Sequence, residues 1–388
     1  MSARIYADHA ATTPLRAEVL EAMVPYLTDG FNASSLHQEG RRSRRALDDA
    51  RTVIAGLLGA QAREIVFTSG GSESDNLAIF GMAGALRERG RHVVTSSIEH
   101  HAVLHAVDRL RDDGWDVSIL PVDNDGQVDP GAFEGALRAD TTLATMMLAN
   151  NEIGTISPIA HLVSIAHEKG VLFHTDAVQA PAYLPINVED LGVDALSISA
   201  HKFSGPKGVG ALYLRTGTPL RAQLLGGSQE LAKRAGTENV AAIVGMAKAL
   251  VLADKERKEL AQRLSALRSR FERDIINRVP DAKVNAAQAA RLPHISNIAF
   301  GGIESTALVM RLDLDGAAIS AGSACAAGVA QPSHVVAALR EKRAQDGAVR
   351  FSFGRLTTDA EVERLVEMVA QAVRALRETT PERMAGVR

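Results

Sequence analysis

Five short polar clusters, each placed just after a strand-like run, constrain this chain more than any other feature. Residues 64–68 (EIVFT) lead into 69–72, and residues 92–95 (HVVT) lead into 99–101. Residues 143–148 precede 150–152, residues 171–174 precede 176–179, and residues 195–199 run into 199–202. The runs are short, apolar and rich in β-branched residues, and helical patterns lie between several of them. Such alternation predicts βαβ units and a largely parallel sheet with helices on both faces. In a sheet of that kind ligands bind in the crevice outside the carboxyl ends of the strands, so five polar clusters there define one candidate site.

The helical patterns carry their own punctuation. Ser72, with Asp75 three residues on, is expected to cap a helix over SESDNLAIFGMAGAL. Leu260, Leu264, Leu267, Phe271 and Ile275 form one apolar stripe on a long charged helix that Pro280 ends. Thr358 and Glu361 form a capping box for a last helix, whose apolar face is Val362, Leu365, Val369, Val373 and Leu376. With 388 residues the chain is long enough for two or three domains. A junction is expected near residues 245–260, giving a large domain over 15–250. A smaller α+β domain takes residues 1–14 and 251–388.

Composition removes several classes. A formal net charge of −3 gives no general pull toward nucleic acid or anionic lipid. Aromatic residues at 4% are too sparse for a stacking platform. No window reaches the ~18 consecutive apolar residues of a spanning helix, and MSARIYADHAATTPL has no signal-peptide core. The single cysteine, Cys325, can form neither an intramolecular disulfide nor a multi-thiolate zinc site. A cytoplasmic α/β protein is expected.

Each cluster admits a chemical and a plain reading. SGGSES sets glycines before a helix start, which suits either an anion cradle or an ordinary turn, and it is no nucleotide P-loop. Lys202, in SAHKFSGPKGVG, is either a surface lysine or a Schiff-base nucleophile and proton carrier. Asp176 ends a strand, where it could hold a protonated ring nitrogen. His100 and His101 lack the partners of a zinc site, so stacking on a flat cofactor or plain packing is expected, and no metal. Cys325 lies in AGSACAAG, a small-residue setting that favours an exposed, reactive thiol over a buried inert one. Arg350 and Arg355 could grip a carboxylate, while residues 41–45 (RRSRR) read as a solvated, partner-facing patch.

Together these segments resemble the cysteine desulfurases of the NifS/IscS type, within the class V aminotransferases. YADHAATTPL, FTSGGSESDNLAI, EHHAVL, ANNEIG, HTDAVQA, SAHKFSGPKGVG, KRAGTENV, GSAC and RFSFGRLTT occur in the family's order across nearly the whole chain. The resemblance implies the fold type I of enzymes that depend on pyridoxal phosphate. It implies that Lys202 carries the cofactor and shuttles the substrate's α-proton. His100 would stack on the ring, Asp176 would hold its nitrogen and Gln179 would contact its hydroxyl. Gly71, Ser72, Ser199 and His201 would cradle the phosphate, and Thr237 would reach it from the neighbouring subunit of a homodimer. Asn151 and Arg355 would hold the substrate carboxylate, and Cys325 would become a persulfide.

The implied reaction turns L-cysteine into L-alanine and passes sulfur through Cys325 to an acceptor protein. Candidate acceptors are an iron–sulfur scaffold, a tRNA-thiolation enzyme or a small sulfur carrier. Ala33, Ser228, Ala321 and Ala326 depart from the family pattern, and none of them removes a catalytic group. A selenocysteine lyase or another carbon–sulfur lyase of the class would use the same groups but would not need Cys325. An idle sulfur-relay or scaffold protein would not need the full set Lys202, Asp176, His100 and Arg355. A dehydrogenase finds no support, for no GxGxxG is present.

Overall fold

A computed structural model describes residues 4–322, 333–339 and 347–378. Its strands are β1 (Ile5–Tyr6), β2 (Ile65–Thr68), β3 (His92–Ser96), β4 (Asp116–Leu120), β5 (Thr141–Thr145), β6 (Leu172–Asp176), β7 (Ala195–Ser199), β8 (Gly210–Leu214), β9 (Ala282–Val284), β10 (Ile295–Phe300), β11 (Ala317–Ala318) and β12 (Val349–Ser352). Among the described residues the main sheet has the order β2-β8-β7-β6-β5-β3-β4. From β7 to β4 every pairing is parallel, and β8 runs antiparallel to both β7 and β2. β5 and β7 are buried at every position, as strands covered by helices on both faces must be, even where β7 carries Ser197 and Ser199.

The polar clusters fall where the parallel strands end. Thr68, Ser96, Asp176 and Ser199 are the last residues of β2, β3, β6 and β7. One local expectation is corrected here. The helix after β2 spans Gly71–Leu86, its N-cap is Gly70, and Ser72 lies inside the first turn. Gly70 adopts φ +155°, and a Cβ on Gly210 of β8 would approach Gly70 Cα to 2.8 Å. That positive φ selects a glycine as the cap. Glu73 then satisfies the exposed amide of Ser69 at 2.7 Å.

A second region gathers the ends of the chain. β12, β10 and β9 form an antiparallel sheet, and β1 pairs in parallel with β11. The 39-residue helix Val240–Arg278 connects this region to the main sheet. Its first part packs on helix Ala17–Thr28, where Gly245 admits the Met23 side chain. Its later part buries Leu264, Leu267, Phe271 and Ile275, while Arg270 pairs with Asp359 at the start of helix Asp359–Glu378. Burying those four side chains contributes roughly 1.5–3 kcal/mol each. The last helix is capped as expected, Thr358 N–H donating to Glu361 and Glu361 N–H to Thr358 Oγ1 at 3.2 Å.

Candidate active site

Lys202 sits in the short turn Ala200–Lys202 that continues β7. Its Nζ donates to the carbonyl oxygens of Ala10 at 2.6 Å and Ala11 at 2.9 Å. It faces a cavity of ≈ 260 Å³ whose wall includes Gly71, Ser72, His100, Asn151, Asp176, Gln179, Ser199 and His201. All five polar clusters therefore meet in one place. The strand ends bring them there, and no single segment encodes the convergence.

Asp176 closes β6 and is buried. Its Oδ1 accepts the Val178 amide at 2.9 Å. Burial drives its carboxyl up to about 6, while that amide and Lys202 favour the ion. A carboxylate so placed suits a cationic ring nitrogen. Gln179 Nε2 donates to Ala10 O at 2.9 Å, so Lys202 and Gln179 share one main-chain acceptor.

His100 is the N-cap of helix His101–Asp112, and its Nδ1 accepts the Ala102 amide at 3.1 Å. Burial first, then Lys202 and the neighbouring histidines, pull the imidazole down to about 4. At neutral pH the ring is uncharged with its proton on Nε2, an assignment that follows from the hydrogen bond at Nδ1. His201 is likewise lowered to about 4 by burial, Lys202 and Lys207, and its Nδ1 lies 3.2 Å from Thr12 Oγ1.

Next to the main cavity, a shallow depression is lined by Thr12, Gly70, Gly71, Ser72, His201 and Lys207 among others. A helix N-terminus and a lysine there suit a phosphate. Glu73 also borders it, but its carboxylate is engaged by Arg234 at 2.8 Å and by the Ser69 amide. A Cβ on Gly71 would come within 2.7 Å of Val178 Cγ2, so the cradle is kept open by glycine. With an acid at one end, an anion cradle at the other and a lysine between, the residues fit pyridoxal phosphate.

The two arginines part company. Arg350 lines the lysine cavity, but it is buried and holds Asp8 at 2.7 Å and the Asn151 carbonyl at 2.8 Å. Arg355 is exposed and lines a neighbouring cavity of ≈ 80 Å³ that shares Lys202 as wall. Thr237 is exposed and does not line the cavity of its own chain. Ala33 is buried and Ser228 exposed. Cys325 and Ala326 lie outside the described residues. Among the described residues no group of His, Cys, Asp or Glu could hold a metal ion, and no helix is long and apolar enough to cross a membrane.

Sequence reasoning missed three contributors. Ala10 and Ala11 act through main-chain carbonyls, which have no side-chain signature. Asp75 was read as a capping partner, yet it is buried and lines the lysine cavity. Its spacing of three from Ser72 was the available signal, since both residues then share one helix face.

Comparison with known proteins places this geometry. The aminotransferase class-V family matches residues 5–365. The cysteine desulfurase IscS of Dictyoglomus turgidum is 48% identical over 383 residues, covering 98% of this chain and 97% of that one. The cysteine desulfurase IscS of Methanosarcina thermophila is 46% identical, covering 97% and 94%. Among solved structures, a NifS-like protein superposes with a TM-score of 0.90 at 35% identity, covering 96% of this chain and all of that one. SspA in complex with cysteine gives a TM-score of 0.80 at 38% identity, covering 90% and 98%.

Proposed function

The chain belongs to the aminotransferase class-V family, and from that premise we infer how its residues divide the work of a cysteine desulfurase. The protein is a pyridoxal-phosphate-dependent enzyme of fold type I that converts L-cysteine to L-alanine. The observation that carries the division of roles is that Lys202, Asp176, His100 and the Gly71–Ser72 cradle line one cavity.

When bound, pyridoxal phosphate supplies an electron sink next to the substrate's α-carbon. In our reading Asp176 holds the ring nitrogen, Gln179 the ring hydroxyl, and Gly71, Ser72, Ser199 and His201 the phosphate. His100 would stack on the ring, and its uncharged imidazole would offer a proton at Nε2 during the thiol steps. Lys202 anchors the cofactor and moves the proton at the substrate's α-carbon. Asn151 and Arg355 orient the substrate carboxylate. The Cys325 thiolate takes the sulfur: the substrate's C–S bond breaks, an S–S bond forms on Cys325, and alanine leaves. A second thiol, on an acceptor protein, then takes the outer sulfur and restores Cys325.

Four further statements belong to the same proposal. The enzyme works as a homodimer in which Thr237 of each chain completes the partner's phosphate cradle, so dilution to monomer should cost cofactor. The acceptor is an iron–sulfur scaffold, a tRNA-thiolation enzyme or a small sulfur carrier. The setting is cytoplasmic, where thiols are kept reduced. The large and small regions divide as 15–250 against 1–14 with 251–388.

The test incubates the holoenzyme with L-cysteine and a reducing thiol, and quantifies alanine and sulfide for wild type and Cys325→Ala. Equal yields from wild type and neither product from the variant are expected. Equal product from both would sink the persulfide route and favour direct elimination.

A further inference from the structure

Beneath Asp176 a second acid shares the dry end of the cavity. Asp75, in the first turns of helix Gly71–Leu86, is 1% exposed and lines the same cavity as Asp176 and Lys202. The groups around it come from several elements: His174 and Asp176 from β6, Ser197 from β7, Glu99 beyond β3, and Lys202 beyond β7. Its Oδ1 is fully buried and has no hydrogen-bond partner. Among the described residues the cationic candidate close to that oxygen is His174, whose Nε2 is 3.7 Å away, and burial holds this ring neutral by lowering it to about 3.

A chain of hydrogen bonds runs from Thr145 through His174 to Ser197. Thr145 Oγ1 and His174 Nδ1 are 2.8 Å apart, and His174 Nε2 and Ser197 Oγ are 3.0 Å apart. Ser197 is the neighbour that favours the charged form of Asp75. If Ser197 donates to Asp75, then His174 Nε2–H must donate to Ser197, and Thr145 must donate to Nδ1. Oδ1, buried and with no hydrogen-bond partner among the described residues, is the oxygen where charge is least supported. A buried unpartnered O⁻ costs far more than a buried unpartnered O–H. Two carboxylates in one dry site do not both ionise. Asp176 has the Val178 amide and Lys202 to favour its charge, whereas Asp75 has Ser197 alone.

We propose that Asp75 is a positioning residue kept as a neutral acid, so that the pair Asp75–Asp176 carries one negative charge and places it on Asp176. The proposal rests on the reading of Asp176 as the ring-nitrogen partner. It gives the wall of the cofactor site an uncharged carboxylic acid able to donate a hydrogen bond, a use that buried sites permit. Burial is the first cause, and Asp176 the second, of the upward shift of Asp75 well above the ordinary carboxylate range, in keeping with this assignment.

Infrared spectroscopy of the holoenzyme at neutral pH reads the proton directly. A protonated-carboxyl C=O band present in wild type and lost in Asp75→Asn is expected; identical spectra would overturn the proposal. Affinity for pyridoxal phosphate supplies a second reading. Asp75→Asn keeps a donor and should bind within a few-fold of wild type, whereas Asp75→Ala should weaken binding by about tenfold, the cost of one lost buried hydrogen-bond group. An Asn variant as weak as Ala would mean that the charge is needed, and an Ala variant equal to wild type would mean that Asp75 positions nothing. Asp176→Asn runs alongside. Undiminished affinity there would end the ring-nitrogen reading, while the infrared band would still decide the state of Asp75.

Discussion

Lys202 Nζ lies 2.6 Å from the carbonyl oxygen of Ala10, a residue 192 positions earlier in the chain. The amine thus waits in the cavity held by main-chain acceptors. Such contacts orient the side chain yet release it more easily than a desolvated ion pair would. That suits a lysine that must both carry a cofactor and move a proton.

Replacement of Lys202 by Ala should leave the cofactor removable by dialysis and abolish its borohydride-fixed adduct in mass spectra. Alanine formation should fall by at least ~10²-fold, the usual scale of a lost acid–base group. Turnover within tenfold of wild type would remove Lys202 from the chemistry.

The carboxyl of Asp176 sets a pH dependence whose sign is definite. Its value rises from 3.8 in the unfolded chain to about 6 in the fold, first because of burial. Below about pH 6 the cofactor-free fold therefore holds the neutral acid. This group's contribution is fully present below about pH 4 and is lost as pH rises through about 6, a change of about 3 kcal/mol. Urea unfolding of cofactor-free wild type and Asp176→Asn between pH 4 and 8 isolates it from the histidines. A stability difference that stays flat with pH would contradict the burial argument.

Arg355 is exposed and borders the smaller cavity on the other side of Lys202. Arg355→Ala should lower kcat/KM for L-cysteine by roughly 10- to 100-fold, the range of one charge-assisted hydrogen-bonding group. Cofactor absorbance should be unchanged. Steady-state kinetics with no loss would shift the carboxylate grip to Arg350.

Gly210 begins β8 where three strands crowd together. A Cβ there would meet Ile198 O at 2.7 Å and Gly70 Cα at 2.8 Å, both of them backbone. Gly210→Ala should cost roughly 1–3 kcal/mol by overpacking. It should also weaken cofactor binding, because Gly70 caps the helix that forms the phosphate cradle. Calorimetry and a cofactor titration would check both, and a variant as stable as wild type would refute the crowding.

Much of this protein was legible before folding was considered. The β-branched runs, the apolar stripe ending at Ile275 and the Thr358–Glu361 box are local patterns, and residues a few positions apart determine them. The polar clusters at strand ends pointed to the site for the same reason, since the end of a strand is itself a local event. The tertiary structure decided what local patterns do not contain. It put the Ala10 carbonyl under Lys202, turned Asp75 from a helix cap into a wall of the cavity, and assigned Arg350 and Arg355 to different cavities. It also gave the N-cap to Gly70, at a φ of +155°, instead of Ser72. These outcomes depend on which distant backbones approach within a few ångströms, and every residue carries the same carbonyl. Only the packing of β1, the strand ends and the long helix selects which of them the reactive lysine meets.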